Sequence, residues 1–170
     1  MTTTVETGAF RLDTAASTVT IRQKTMWGLV TVNGTFGVLR GEATVHPDGT
    51  ATGTVTLDSA SLDTKHAKRD AHLRTPDFLH VEEHPAITFD VRKATSRGGT
   101  AAVEGRLTVR GVTQPQSLTA TLTDAGPDAV TLSTEFTVDR TQFGLTWNQL
   151  GMMRGLTTIT ASLRFTRVPA

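Results

Sequence analysis

Four of the five histidines, His66, His72, His80 and His84, crowd into one short stretch, and imidazole is both a common metal ligand and a base that titrates near neutral pH. His80 and His84 stand four residues apart with Glu82 and Glu83 between them, and His66 and Asp70 share that spacing. A zinc-activated hydrolytic site carries its paired histidines and glutamate on one continuous helix. Pro85 follows His84 directly, and a residue before proline is pushed out of the helical region, so a helix here would be ending and not presenting ligands. Cysteine is absent, which removes thiolate ligands, disulfides and a cysteine nucleophile. The expectation is no metal and no cofactor.

Covalent catalysis needs a nucleophile beside a base, or carboxylates converging on a pocket. Serine and threonine are plentiful, but there is no Gly-x-Ser-x-Gly elbow and no glycine-rich phosphate loop. No catalytic residue is expected, and the chain reads as a binding protein, not an enzyme.

The elements that must position these side chains announce themselves by strict alternation. Ile87, Phe89 and Val91 point one way and Thr88, Asp90 and Arg92 the other, the signature of a strand with one wet and one dry face. The pattern recurs in Val103, Leu107 and Val109; in Leu118, Ala120 and Leu122; in Val130, Leu132, Phe136 and Val138; and in Ile159, Ala161, Leu163 and Phe165. Shorter runs lie at Thr18 to Lys24, Leu29 to Phe36, Gly41 to His46 and Thr52 to Leu57, punctuated by turn chemistry such as His46-Pro47-Asp48-Gly49. Eight or nine closely spaced strands favour an up-and-down barrel or a sandwich. Between Asp63 and Glu83 the two-residue period disappears and helix formers gather. Asp63 or Thr64 can N-cap one short helix, and Thr75 with Pro76 can start a second, so a helical insertion at about 63–80 is expected to lie over one end of the sheet. Residues 1–9 read as a loose tail and 10–170 as one domain.

Basic residues number 17 and acidic residues 16, a formal charge of +1, so no long-range field draws in nucleic acid or an anionic membrane. No stretch approaches the roughly 20 apolar residues of a membrane span, and the first ten residues lack a basic start and an apolar run. The expectations are a cytoplasmic location, no nucleic-acid partner and no stable membrane insertion.

Several segments, in order, resemble the YceI-like family of lipocalin-like barrels. The most specific are Leu57-Asp58-Ser59-Ala60-Ser61-Leu62-Asp63-Thr64, then Arg69-Asp70-Ala71-His72-Leu73-Arg74-Thr75-Pro76-Asp77-Phe78, then Pro85-Ala86-Ile87-Thr88-Phe89. Leu12-Asp13 with Ser17 and Val19, Val32-Asn33-Gly34-Thr35-Phe36, Gly105 to Thr113, and Asp139-Arg140 with Phe143-Gly144 support them. The resemblance implies an all-β fold with a small helical insertion, an antiparallel eight-stranded lipocalin-like β-barrel, and binding of a polyisoprenoid or other long-chain lipid. Arg69, Asp70, His72 and Asp77 match the family motif, either as a polar cap that meets a headgroup or as groups that pin the insertion onto the strands. Asp139-Arg140 reads as a strand-end ion pair. The chain departs from the family at Lys24-Thr25, where a Lys-His pair is usual, and at Asn33, where arginine is usual.

A hollow interior follows from side-chain volume as well. Inward rows carry Val19, Val32, Val91, Val103, Gly105, Ala120, Val130 and Ala161, with only scattered large residues, and an eight-stranded barrel holds a ligand when its side chains leave room. An apolar void forfeits dispersion contacts at ~24 cal/mol per Å³, which an apolar guest restores. The alternative is a barrel filled by ordinary packing. The loop from Leu145 to Leu156 carries Trp147, Met152 and Met153, and Met26-Trp27-Gly28-Leu29 has a similar composition. These loops are expected to line a mouth, to pack on each other, or to bury themselves in a homodimer interface. The candidate ligand-binding residues are Val19, Ile21, Met26, Trp27, Phe36, Phe89, Leu107, Leu118, Leu132, Phe136, Trp147, Met152, Met153, Ile159 and Leu163. The expected partner is an isoprenoid, a quinone or a fatty-acyl molecule, carried or sequestered; the alternative function is an interaction module whose apolar loops bind a protein partner or a second copy.

Overall fold

Alternating sequence produces ten strands and one short helix in the computed structural model, which describes residues 7–169. The elements are β1 (Gly8–Leu12), β2 (Thr18–Thr25), β3 (Val30–Phe36), β4 (Val38–Val45), β5 (Thr50–Asp58), α1 (Ala67–Leu73), β6 (Ala86–Arg97), β7 (Thr100–Val109), β8 (Val112–Thr123), β9 (Ala129–Val138) and β10 (Arg154–Arg167). Every pairing is antiparallel, and the order β1-β4-β5-β6-β7-β8-β9-β10 closes because β10 returns to β1. The long β10 also pairs with β2, and β2 with β3. Thus β1 and β2 form one broken stave, β3 and β4 another, and the barrel has eight staves.

Local chemistry makes both breaks. Asp13 accepts hydrogen bonds from the N–H groups of Ala15 and Ala16, and the Ser17 hydroxyl donates to the Asp13 carbonyl at 2.7 Å, folding a tight turn between β1 and β2. At Gly37 the N–H donates to Ser61 Oγ at 2.6 Å, in the chain that continues beyond β5. That continuation then pairs Asp63 with Thr35 of β3, so the upper half of this stave also gains a partner.

Register puts the alternation to use. In β7, Ala101, Val103, Gly105 and Leu107 are buried while Thr100, Ala102, Glu104 and Arg106 are exposed. Phe89 faces Leu107 and Val55 across the two neighbouring strands, and a Cβ on Gly105 would stand 2.8 Å from the Phe89 ring. Apolar packing is split into two layers. Phe10, Leu12, Val103, Leu122, Val130 and Phe165 gather at the end where β1 begins and β10 finishes, and Leu62, Leu79, Ile87, Leu107 and Phe143 gather near the insertion.

Three sequence expectations change. The first strand begins at Gly8, so residues 8 and 9 pair with Val45 and Thr44 where a loose tail was expected; residues 1–6 lie outside the described residues. The helix cap is His66, whose Nδ1 accepts from the Arg69 N–H at 3.1 Å. Asp63 and Thr64 are not available for that role: Asp63 accepts from the Lys65 N–H at 2.8 Å, and Thr64 is taken up by Asp70 and Arg69. The second helix does not form. Phe78 and His80 both donate to the Thr75 carbonyl, which closes turns that do not propagate.

Candidate ligand-binding cavity

The inward rows enclose a cavity of about 910 Å³. Val19, Ile21, Phe36, Phe89, Leu107, Leu118, Leu132, Phe136, Ile159 and Leu163 line the barrel, and Met26, Trp147, Met152 and Met153 line its loop-bearing end. Trp27 is not on the wall; it is exposed, and its indole N–H donates to the Leu150 carbonyl at 3.2 Å. Val91, Val103, Ala120, Val130 and Ala161 also line the space. Protein interiors normally pack to crystal density; here Val103 and Val130 do pack with Phe10 and Phe165 at one end, yet the small side chains leave the cavity unfilled. At the opposite end the wall extends to Gly49 and Ser96.

Polar groups interrupt the apolar wall at a few places. Gln23 is buried on the inward row between Ile21 and Thr25; its Oε1 accepts from the Thr157 hydroxyl at 2.5 Å, and its Nε2 donates to the Lys24 carbonyl at 3.2 Å. Thr134 lies on the wall as well and donates to the Thr119 carbonyl at 2.9 Å. Neither is among the residues expected from sequence; Gln23 falls on the inward phase of its strand, and that phase is the signal that marks it. Of the departures from the family pattern, Thr25 lies on the wall, whereas Lys24 and Asn33 are exposed and off it.

The insertion is stapled across the loop-bearing end. Asp70, only 7% exposed, accepts from the Thr64 N–H at 3.0 Å and from the Thr64 hydroxyl at 2.5 Å. Arg69 donates to the Thr64 hydroxyl and carbonyl, each at 2.8 Å, and Arg74 donates to the Ala60 carbonyl at 2.9 Å. Leu62 lies against Gly34 of β3, where a Cβ would stand 2.8 Å from its methyl. These bonds show the pinning role for Arg69 and Asp70, and Arg69 and His72 also line the cavity, where the cap role would place them. His72 Nε2 lies 2.9 Å from Asp77 Oδ2, and its ring meets Phe78 at 5.3 Å and Trp147 at 4.7 Å between centroids. That aromatic contact joins the insertion to the long loop between β9 and β10.

The same loop is braced from within. The Thr141 hydroxyl and N–H both donate to Asp139 and hold its carboxyl below the usual carboxylate value. Arg140 donates to the carbonyls of Leu145 and Trp147, and its burial lowers the guanidinium's pKa. Asp139 therefore caps a turn and Arg140 clamps two carbonyls, while the opposite charges of the two neighbours still favour each other, as expected of a strand-end pair. Asn148 brackets the loop tip, accepting from the Met153 N–H at 2.9 Å and donating to its carbonyl at 3.1 Å. The Trp27 N–H donates to the Met152 carbonyl at 2.9 Å, tying the loop to the β2–β3 turn.

The histidines separate into two places. His66 and His72 lie on the cavity wall. His80 and His84 form a single α-like turn, closed by the His84 N–H donating to the His80 carbonyl at 2.9 Å. With Glu83 their ligand atoms lie within 4.8 Å of one another, off the cavity wall. One turn suffices to bring i and i+4 together, which the proline-based reading of this stretch did not foresee.

A family model, the YceI-like domain, matches residues 10–165, nearly the whole barrel. The chain belongs to the YceI-like family. A UPF0312 protein of Pseudomonas aeruginosa is 43% identical over 74 residues, 44% of this chain and 39% of that protein, and one of Ectopseudomonas mendocina is 47% identical over 75 residues, again 44% and 39%. The matched stretch thus spans well under half the length of these relatives. Among solved structures, Burkholderia cenocepacia BcnA superposes with a TM-score of 0.80 at 20% identity, covering 90% of this YceI-like chain and 98% of its own. A polyisoprenoid binding domain from Saccharophagus degradans gives 0.75 at 13% identity, covering 96% and 100%. At these identities the two structures establish a shared fold.

Proposed function

We propose that this YceI-like barrel is a non-catalytic carrier or sequestering protein that encloses a long apolar molecule, an isoprenoid, quinone or fatty-acyl chain. The observation that carries the reading is the 910 Å³ cavity with its nearly continuous apolar wall, near the upper end of the roughly 300–1,000 Å³ range of small-molecule sites. Each methylene moved from water into that wall contributes about 0.8 kcal/mol, so a dozen carbons supply a gross driving force of order 10 kcal/mol before the costs of association are subtracted. Selectivity for chain length should be gradual. The inward Gln23–Thr157 pair is one of several polar features of the wall that a carbonyl or hydroxyl on the guest would meet. The relative from Saccharophagus degradans, described as a polyisoprenoid binding domain, supports the same class of ligand. A cavity of this size weighs against the alternative of a filled barrel used only as an interaction module.

Organic extraction of the purified protein followed by mass spectrometry tests the proposal. A long-chain lipid recovered near one per chain supports it. Protein that carries no lipid and takes up none when offered isoprenoid, quinone and fatty acid rejects it.

A further inference from the structure

Seven large apolar side chains are exposed among the described residues: Met26, Trp27, Leu29, Val30, Leu39, Leu150 and Leu156. Chance would scatter them. All except Leu39 stand at the loop-bearing end of the barrel, on the β2–β3 turn, the β9–β10 loop and the strand ends beside them. Leu29 is 86% exposed and Leu150 is 78% exposed, far more than a solitary surface leucine requires. The opposite end carries polar turns, His46-Pro47-Asp48-Gly49 and Gly98-Gly99.

The backbone holds these tips outward. Met26, Trp27 and Leu150 have φ values of 51°, 56° and 54°, a left-handed conformation that bulky residues rarely adopt and that collects at functional sites. The two tips are also coupled, through the Trp27 N–H on Met152 and the Trp27 indole on Leu150. Met26 and Val30 are exposed and at the same time line the cavity, so the apolar surface runs without a break from the outside of the molecule into its interior.

We infer that this apolar collar docks on a lipid bilayer surface, from which the cavity is loaded or into which it is emptied. The inference rests on the lipid-binding reading above and adds where the exchange takes place. The collar rims the apolar cavity it opens into, and a bilayer surface is the partner that offers both an apolar phase for the exposed leucines and long-chain guests for that opening. Two lysines stand at the same end, Lys24 at the close of β2 and Lys68 on the cavity wall, beside Lys65, whose charge is balanced by Asp63 at 3.4 Å. They add a local, short-range attraction to anionic headgroups, secondary to the apolar contact. An exposed patch of this kind, entered to a shallow depth, gives reversible attachment without a spanning segment.

The test uses the untagged chain and vesicles of phosphatidylcholine mixed with phosphatidylglycerol. Wild type should float with the vesicles, and a Trp147→Phe protein, in which Trp27 is the only indole, should show a blue-shifted emission on mixing. The Leu29→Ser, Leu150→Ser double variant should partition about tenfold more weakly, and Leu39→Ser, which removes the exposed leucine outside the collar, should behave as wild type. Uptake of a soluble fluorescent fatty acid, measured in parallel without vesicles, separates the two readings. If the probe enters the wild-type barrel but the protein stays off the vesicles, docking is wrong and lipid binding stands; if the probe is refused, the lipid-binding reading has failed. A loss in Leu39→Ser equal to that of the double variant overturns the collar. So does sedimentation showing that the collar joins two copies while vesicles remain bare.

Discussion

At the scale of single residues the site is defined by which polar groups are already committed. Thr64, Arg69 and Asp70 form a closed set in which one hydroxyl donates to the carboxylate and accepts from the guanidinium. Removing one member leaves buried partners unsatisfied, which costs about 1–3 kcal/mol. Asp70→Ala and Thr64→Val should each destabilise by that amount in urea denaturation, and the double variant by clearly less than their sum, because both break the same bonds; simple additivity would show that the set does not act as a unit. Asp139 carries a pH signature. Its folded-state carboxyl lies below the usual value because of Thr141, so its contribution is present above the ordinary carboxylate value and is lost as pH falls through the lowered one. The stability difference between wild type and Asp139→Asn should therefore persist at neutral pH and vanish in acid. Equal differences at both extremes would assign the effect to something other than this titration. The residue scale was the least legible in sequence: the Arg69 to Asp77 motif named the participants, yet only the fold reveals that Arg69 and Asp70 both reach back to Thr64.

At the scale of elements, the barrel depends on where the chain bends and where the insertion presses. Gly34 faces inward under Leu62 and Thr64, whose side-chain atoms would lie 2.8 and 3.1 Å from a Cβ there. Gly34→Val should push the insertion off β3, a strain of about 1–3 kcal/mol, and loosen the His72–Trp147 contact; a lowered melting temperature with altered Trp147 emission checks this, and an unperturbed protein would place the contact elsewhere. Strands were readable because burial on one face imposes a period of two over long stretches, as β6, β7 and β10 show. β1 was not. Five residues, Gly-Ala-Phe-Arg-Leu, contain too few repeats to stand out, and β1 owes its place to β4 and β10 on either side. The second helix failed for a related reason: Thr75 and Pro76 are good starting residues, but Asp77 lies against His72 and the Thr75 hydroxyl donates back to the His72 carbonyl at 2.6 Å. Propensity at a start signal yielded to tertiary bonding.

At the scale of the whole molecule, the loop-bearing end differs from the other in every respect that matters to an apolar guest. The insertion, the two apolar loops and the basic groups meet there, and the side chains between them line the cavity. The hollow was legible in the small inward residues, since closing a barrel sets the volume to be filled and valine and alanine fill little of it. Trp27 was not assignable from composition, because its neighbour Met26 lines the wall while Trp27 turns outward on a strained backbone. The most direct test fills the space. Val91→Phe with Ala161→Phe places two rings where the wall is lined by small side chains, and uptake of a long-chain fatty acid is followed by calorimetry in both proteins. The account predicts about one guest per wild-type chain and at least tenfold weaker uptake by a filled barrel that melts no lower than wild type. Equal affinity in the two proteins would contradict it, because the guest would then be held somewhere other than the interior.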